Sequence, residues 1–302
     1  MKVLVTGVGG FVGPYLSAEL RGHAHEARTT DIRGPVDFLL DLLDADAVHR
    51  HFTENRYDAV VHLAGFASVA KSWEKPKLTL ELNTFPLLYM LDALSVSSPH
   101  TRVLVIGSAD QYGTVPPGKI LLDESDPCFP QTPYAISKHT QERLALCIAA
   151  GRKLNVVLTR SFNHIGPGQE PGFVVPDFAS AIARIMGGAE PVIHVGNTQA
   201  YRDFTDVRDI VCAYRLLIEH GKSGEVYNVG SGLLHSIQYI LDTLIALSGL
   251  SITVEPDAKK MRPIDTFKVG CCNAKIHGDT GWEARIPIED SLKAILDHWT
   301  GT

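Results

Sequence analysis

Tyr134 and Lys138 stand four residues apart in the run Tyr134-Ala135-Ile136-Ser137-Lys138, a spacing that puts two side chains on one face of a helix. A tyrosine with its ordinary pKa near 10 exchanges protons poorly at neutral pH, and an ammonium beside it stabilises the phenolate. Lowering the phenol by two units requires about 2.7 kcal/mol, which a close cation supplies in a partly dry site. The same ammonium can hold the ribose of a nicotinamide cofactor. On an exposed helix the same spacing is only a surface pair. Pro133 before it, and a fifth strand upstream, favour the chemical reading. Ser108, in Ile106-Gly107-Ser108-Ala109-Asp110-Gln111-Tyr112-Gly113, falls at the carboxyl end of that strand, where ligands of parallel sheets bind. It can hydrogen-bond a substrate carbonyl or hydroxyl alongside Tyr134; the other reading is a turn-forming serine.

A second set of residues suits a dinucleotide. Thr6-Gly7-Val8-Gly9-Gly10-Phe11-Val12-Gly13 follows the first strand and opens the first helix, so a pyrophosphate can approach the glycine backbone at a helix N-terminus. The strict G-x-G-x-x-G pattern fails at Val12; Gly7, Gly10 and Gly13 give G-x-x-G-x-x-G instead. Asp31 closes the second strand, where a carboxylate meets the adenosine ribose and repels a 2′-phosphate. Arg33, two residues on, can clamp such a phosphate. The cofactor is therefore NAD(H) or NADP(H), with Asp31 favouring the former. Asp41-Leu42 either holds the adenine amino group or, through Asp41, caps the next helix.

These residues need a scaffold, and the hydrophobic pattern supplies one. Strands are predicted over Lys2–Thr6, His25–Thr30, Val36–Leu40, Asp58–Leu63, Arg102–Gly107 and Asn155–Arg160, and a further main-sheet strand over Glu225–Val229. Helices are predicted over Gly13–Gly22, Asp44–Glu54, Leu78–Val96, Pro133–Ala150 and Asp206–His220. The alternation implies a doubly wound parallel sheet of the Rossmann type with a smaller α/β substrate-binding lobe. Residues 1–165 and about 201–235 are assigned to the dinucleotide domain, and about 166–200 and 236–302 to the lobe. A net charge of −6 over 302 residues without like-charge runs argues against nucleic acid or an anionic membrane as partner. No apolar stretch has the length of a membrane span, and Met1-Lys2 leads straight into a strand rather than a signal peptide. Cys128, Cys147, Cys212, Cys271 and Cys272 show neither a disulfide framework nor a metal-ligand spacing. Free thiols of this kind fit a cytoplasmic protein.

In their order along the chain these residues resemble the extended short-chain dehydrogenase/reductase family over nearly the whole length. The resemblance is carried by the glycine motif, Asp41-Leu42, His62-Leu63-Ala64-Gly65, Ser108, Tyr134 with Lys138, Arg160 to Pro167, and Arg262-Pro263. Three longer runs, Arg160 to Gln169, Gly172 to Ala179 and Arg202 to Asp209, are most similar to the GDP-4-dehydro-6-deoxy-D-mannose reductase branch. That resemblance implies hydride reduction of the C4 ketone of a GDP-linked 4-keto-6-deoxyhexose, giving GDP-D-rhamnose or its 6-deoxy-D-talose epimer. Tyr134 would donate the proton, Lys138 tune it, and Ser108 orient the carbonyl, with Asp110 ordering the site or assisting protonation. Leu63, Ala64 and Gly65 would lie beside the cofactor, together with Phe11 and Val12 of the glycine motif. Asn163, Arg202 and Arg262 would meet the substrate diphosphate, and Phe173 and Val174 the guanine. Two guanidinium groups and an amide suit a pyrophosphate; the other reading of the arginines is interlobe ion pairing. The family likeness also implies a homodimer built on the helices around Leu78–Val96 and Pro133–Ala150.

Three alternatives accompany this reading. Related 4,6-dehydratases typically carry a glutamate two residues after the Ser/Thr; here Ala109 transfers no proton and Asp110 is one methylene short. A nucleotide-sugar 4-epimerase differs in retaining its cofactor through both half-reactions. A non-catalytic NAD-binding regulatory protein would keep the glycine loop but lose the tyrosine or lysine, and both are present. Pro86, where relatives carry glycine, predicts a kink in the long helix.

Overall fold

The computed structural model describes residues 1–115, 118–260 and 268–301. Its first half runs β1 (Lys2–Thr6), α1 (Val12–Gly22), β2 (Glu26–Asp31), β3 (Phe38–Leu39), α2 (Ala45–Glu54), β4 (Ala59–His62), α3 (Val69–Glu74), α4 (Pro76–Ser97), β5 (Arg102–Ser108), a single 3-10 turn (Ala109–Tyr112), β6 (Leu121–Leu122), α5 (Pro133–Arg152) and β7 (Asn155–Ser161). The second half continues β8 (Asn163–Ile165), α6 (Val174–Met186), β9 (Val192–Val195), β10 (Tyr201–Asp206), α7 (Val207–His220), β11 (Val226–Val229), β12 (Leu234–Ser236), α8 (Ile237–Ser248), β13 (Thr253–Pro256), β14 (Lys268–Cys271), α9 (Ala274–Thr280) and α10 (Ile288–Thr300).

Seven strands form one sheet in the order β11-β7-β5-β4-β1-β2-β3, and every neighbouring pair is parallel. Parallel strands need crossovers, and these helices cover both faces. Accordingly Val3, Val5, Ala59, Val61 and Leu104 pack with α1 and α7 on one side, while Leu4, Val60, Val103 and Val105 pack with α2, α4 and α5 on the other. Strand order reverses between β1 and β4, which opens a crevice beyond their carboxyl ends.

The predicted strand over Val36–Leu40 shortens to two residues because Asp37 spends its carboxylate on the Thr29 N–H and hydroxyl, at 2.8 Å each. The helix bearing Tyr134 begins where Thr132 caps it, its hydroxyl accepting from the Ala135 N–H at 3.0 Å, with Pro133 at the first helical position. Pro86 does not end α4, which continues to Ser97.

The second lobe has its own apolar cluster, in which α6, α8 and α10 pack with Ile193, Val195 and Phe204. Ile276 and Trp282, far along the chain, instead join the core of the large sheet beneath α7, and the Trp282 indole N–H donates to the Asp209 carbonyl at 2.9 Å. β10 links the two bodies: Tyr201 to Asp203 pair with β12, and Phe204 to Asp206 with β8. All five cysteines are free. Among the described residues no helix is long and apolar enough to cross a membrane.

Candidate active site

A cleft of about 2640 Å³ lies over the crevice and beneath the second lobe, more room than one ordinary small-molecule site requires. One end is floored by the β1–α1 turn. Gly7 has φ +70°, and a Cβ there would lie 2.6 Å from the Ala64 backbone; a Cβ on Gly13 would lie 2.3 Å from the Val8 carbonyl. Both glycines are thus required by close backbone approach, whereas a Cβ on Gly10, which lines the cleft, would meet the Gly7 carbonyl at an ordinary 3.4 Å. α1 starts at Val12 without a side-chain cap on its first amides. Gly10, Phe11, Val12 and Gly13 line the same cleft. The turn therefore fits a pyrophosphate, as an uncapped helix start behind a close glycine turn should.

Asp31 is held at the end of β2 by two backbone donors, Gly9 N–H at 3.0 Å on one oxygen and Ile32 N–H at 2.7 Å on the other. Each oxygen keeps a lone pair for a ribose hydroxyl. Arg33 is exposed on the same rim, within the cleft lining. Of the two readings for Asp41, the helix cap falls elsewhere: Asp44 caps α2 through the Ala47 N–H at 3.0 Å, while Asp41 accepts from the Leu43 N–H at 2.9 Å. Leu42 is buried in the core beneath. Leu63, Ala64 and Gly65 follow β4 along the cleft.

Tyr134, Lys138 and Ser108 converge where β5 ends. Ser108 lies beside the Tyr134 phenol, and its Oγ accepts from the Asp110 N–H at 3.2 Å. Burial raises the Tyr134 phenol above its ordinary value, the charge of Asp110 adds to that, and the nearby Ser108 hydroxyl works in the other direction. This corrects the expectation that Lys138 lowers it. The ammonium is turned onto the Ile106 carbonyl at 2.9 Å and the Gln141 side-chain oxygen at 3.2 Å. Burial instead lowers Lys138 itself, to about 8.

Several residues that hold this geometry were not singled out from sequence. Asn83, fully buried on α4, donates to the Phe66 carbonyl at 3.1 Å and to Ser137 Oγ at 2.8 Å, and accepts the Phe66 N–H at 2.6 Å. It ties the loop after β4 to the residue before Lys138. Gly65 is required there, because a Cβ would lie 2.6 Å from the Asn83 oxygen. The Tyr134 N–H bonds Ser72 Oγ at 3.2 Å. His62 shares a 2.9 Å hydrogen bond with Thr6 Oγ1, and burial with the Lys138 charge pushes its pKa down to about 3, so it stays neutral. The sequence signal for Asn83 was a polar residue on a largely apolar helix.

At the far end Asn163, Phe173, Val174 and Arg202 all line the cleft. Asn163 and Phe173 are exposed, Val174 and Arg202 half-buried, and Arg202 Nη1 donates to the Tyr201 carbonyl at 2.7 Å. Arg262 lies outside the described residues. Arg184 and Lys260 also reach this end, again unforeseen.

A family profile described as GDP-mannose 4,6 dehydratase matches residues 4–295. GDP-6-deoxy-D-mannose reductase of Pseudomonas aeruginosa is 36% identical over 299 residues, spanning 99% of this chain and 97% of that protein. The solved structure of RMD from Pseudomonas aeruginosa complexed with NADPH superposes with a TM-score of 0.91 at 35% identity, over 100% of this chain and 99% of that one. UDP-glucose 4-epimerase of Thermus thermophilus, solved in complex with NAD, gives 0.87 at 28% identity, over 100% and 99% of the two chains.

The Lys138 shift fixes a pH signature. Below pH 8 the buried ammonium stays charged at a cost of about 3 kcal/mol to the fold. Between pH 8 and 10.5 the folded protein has released that proton while the unfolded chain still binds it, so this contribution to stability rises with pH. Lys138→Met is therefore expected to unfold at higher urea than the parent at pH 7, with the gap narrowing by pH 9.5. A gap independent of pH would mean the ammonium is not desolvated.

Proposed function

The chain belongs to the GDP-mannose 4,6-dehydratase family, and within it we propose that the protein reduces the C4 ketone of a GDP-linked 4-keto-6-deoxyhexose to the alcohol, GDP-D-rhamnose. The observation that carries this reading is the convergence of Tyr134 and Ser108 beside buried Lys138, in one cleft with the glycine turn. The likeness to a reductase over almost the full chain supports it. Residues 1–165 with about 201–235 serve as the cofactor unit, joined by the segment around Ile276 and Trp282 that packs into its core, and 166–200 with the remainder of 236–302 as the sugar-nucleotide lobe.

NAD(H) or NADP(H) fits the residues present. Gly7, Gly10, Phe11, Val12 and Gly13 would hold the pyrophosphate, Asp31 or Arg33 the adenosine ribose, and Asp41 with Leu42 the adenine. Leu63, Ala64 and Gly65 would flank the remainder, with Lys138 on the second ribose. The chemistry the bound dinucleotide supplies is hydride delivery to the ketone carbon. Tyr134 then gives its proton to the oxygen, and Ser108 holds that oxygen by a hydrogen bond. The enclosed phenol stays protonated at neutral pH and so holds the proton it would give up. Lys138 lies on the same helix face, its ammonium resting on the Ile106 carbonyl and Gln141. Asp110, whose charge reaches the phenol, orders that end of the site. Asn163, Arg202 and Arg262 take the diphosphate and Phe173 with Val174 the guanine.

A second copy of the chain is the expected partner. Leu80, Phe85 and Val96 on α4 and Ile136 on α5 are exposed apolar side chains on adjacent helices, a surface suited to a homodimer. Free thiols throughout fit the cytoplasm.

The decisive assay adds the 4-keto-6-deoxy GDP-sugar to protein with NADH or NADPH, and follows cofactor absorbance and the sugar by NMR. Wild-type protein is expected to consume cofactor; fluorescence enhancement without consumption would mean a non-catalytic binder. GDP-mannose alone, supplied with oxidised cofactor, is expected to remain unchanged, and its conversion would favour a dehydratase built on Asp110. Tyr134→Phe is expected to lose at least about 10²-fold in kcat with cofactor binding nearly intact, and Arg202→Ala to raise the KM of the sugar far more than that of the cofactor. Retained turnover in the first, or equal effects in the second, would reject the assigned role. Light scattering should give twice the chain mass, falling to one when Phe85 and Ile136 are both changed to Glu; a monomeric parent would reject the dimer.

A further inference from the structure

Arg160 begins the run through Gln169 that carries much of the reductase likeness, yet its side chain is buried and does not line the cleft. It faces inward, onto Glu142. Nε lies 2.9 Å from Oε2 and Nη2 lies 2.7 Å from Oε1, a two-pronged pair whose carboxylate side chain is only 3% exposed. The guanidinium carbon also sits 4.8 Å from the centre of the Tyr112 ring, within cation–π range. The Tyr112 hydroxyl donates to Asn228 Oδ1 at 2.7 Å, so the ring is fixed from its far end as well.

These partners belong to the two elements that carry the chemistry. Glu142 is on α5, one turn beyond Lys138 and two beyond Tyr134, hence on the same face. Tyr112 closes the 3-10 turn that starts directly after Ser108 and contains Asp110. Arg160 itself pairs in register with Gly107, the neighbour of Ser108. One guanidinium therefore grips the helix bearing the proton donor and the turn that follows Ser108.

We propose that Arg160 and Glu142, with Tyr112 against them, are positioning residues that set the separation of the Tyr134 and Ser108 hydroxyls. The inference rests on the reductase reading. An apolar pair of the same volume would fill the space as well, but it has no preferred direction and lets α5 slide or roll on the sheet. A paired fork does not, because both of its hydrogen bonds lengthen when the helix moves. A misplacement of about 1 Å is enough to reduce turnover about 10²-fold.

The test uses full-length protein carrying Arg160→Met with Glu142→Leu, which removes both charges together and leaves neither buried alone. A second variant, Arg160→Lys, keeps the charge and loses the fork. Both are compared with wild type by circular dichroism, cofactor KM, kcat and the solvent deuterium isotope effect on kcat. The double variant is expected to stay folded, keep cofactor KM within about threefold, lose at least about tenfold in kcat, and show a larger isotope effect, because proton donation becomes slower. Arg160→Lys is expected to fall between the two. Wild-type kcat per folded molecule in Arg160→Lys or in the double variant would overturn the proposal, and so would a loss that only follows the folded fraction. If the double variant does not fold, Arg160→Lys decides. Absence of turnover in wild type would reject the reductase reading instead. The Tyr134–Ser108 distance in crystals of Arg160→Lys would then test positioning alone, an unchanged distance overturning it.

Discussion

The ammonium of Lys138 is nearly shielded from water, and its partners are a strand-end carbonyl and one side-chain amide oxygen. Desolvation is the whole cause of its lowered pKa, and much of the surrounding structure answers to that fact. Ile106 lies just past Val105, where the pairing of β5 with β4 ends, while β7 still pairs with β5 as far as Ser108. His62, close enough to feel the charge, is kept neutral; a second cation there would face the first across a medium that screens poorly. Asn83 secures the residue before Lys138 through its bond to Ser137. A cation whose pKa lies near 8 sits close to the working range of a proton-transfer site, which an exposed lysine does not.

The same enclosure decides the state of the phenol. A buried tyrosine next to a carboxylate is a poor acid on its own, so it holds its proton until negative charge develops on a neighbouring oxygen. The Tyr134–Lys138 spacing would serve a proton transfer in either direction; the enclosure decides only that the phenol rests in its protonated form.

The contrast between spacing and pocket also explains what the sequence could convey. Periodicity located the strands of the large sheet because strands buried on both faces are apolar throughout, and Val3 to Val5 and Ala59 to Val61 have that character. Motif order brought Ser108, Tyr134 and Lys138 together because each sits at a strand end or helix start whose position the topology fixes. Asn83, Gln141 and Glu142 escaped notice for the opposite reason. On a helix they read as ordinary polar surface residues, and their partners lie on distant segments that local pattern does not connect. The direction of the Tyr134 shift was hidden in the same way, since it depends on how many atoms surround the ring. Asp41 and Asp44 show the limit over a short range: either residue suits a cap, and only the backbone path of the turn chooses.

The run Arg202 to Asp209 shows how one motif can hold a site together through side chains committed to the protein itself. Its three carboxylates are spaced three residues apart, and each gathers donors from a different part of the chain. Asp203, on β10, accepts the N–H groups of Ser231, Gly232 and Cys271, which brings the turn before β12 and strand β14 alongside it. Asp206 caps α7 and accepts the Ser291 hydroxyl of α10 at 2.6 Å. Asp209 accepts the N–H groups of Arg285 and Ile286 at 2.9 Å each. Burial raises Asp203 and Asp209 above the usual carboxylate range, whereas the bonds to Arg208 and Ser291 hold Asp206 below it despite its burial. Removing any one acceptor would leave buried donors without partners, a larger penalty than the loss of a surface ion pair. The lobe is consequently fixed to the sheet through directional bonds at the strand that carries Arg202. The strand that carries a cleft residue is held in place by carboxylates whose own bonds are spent within the protein.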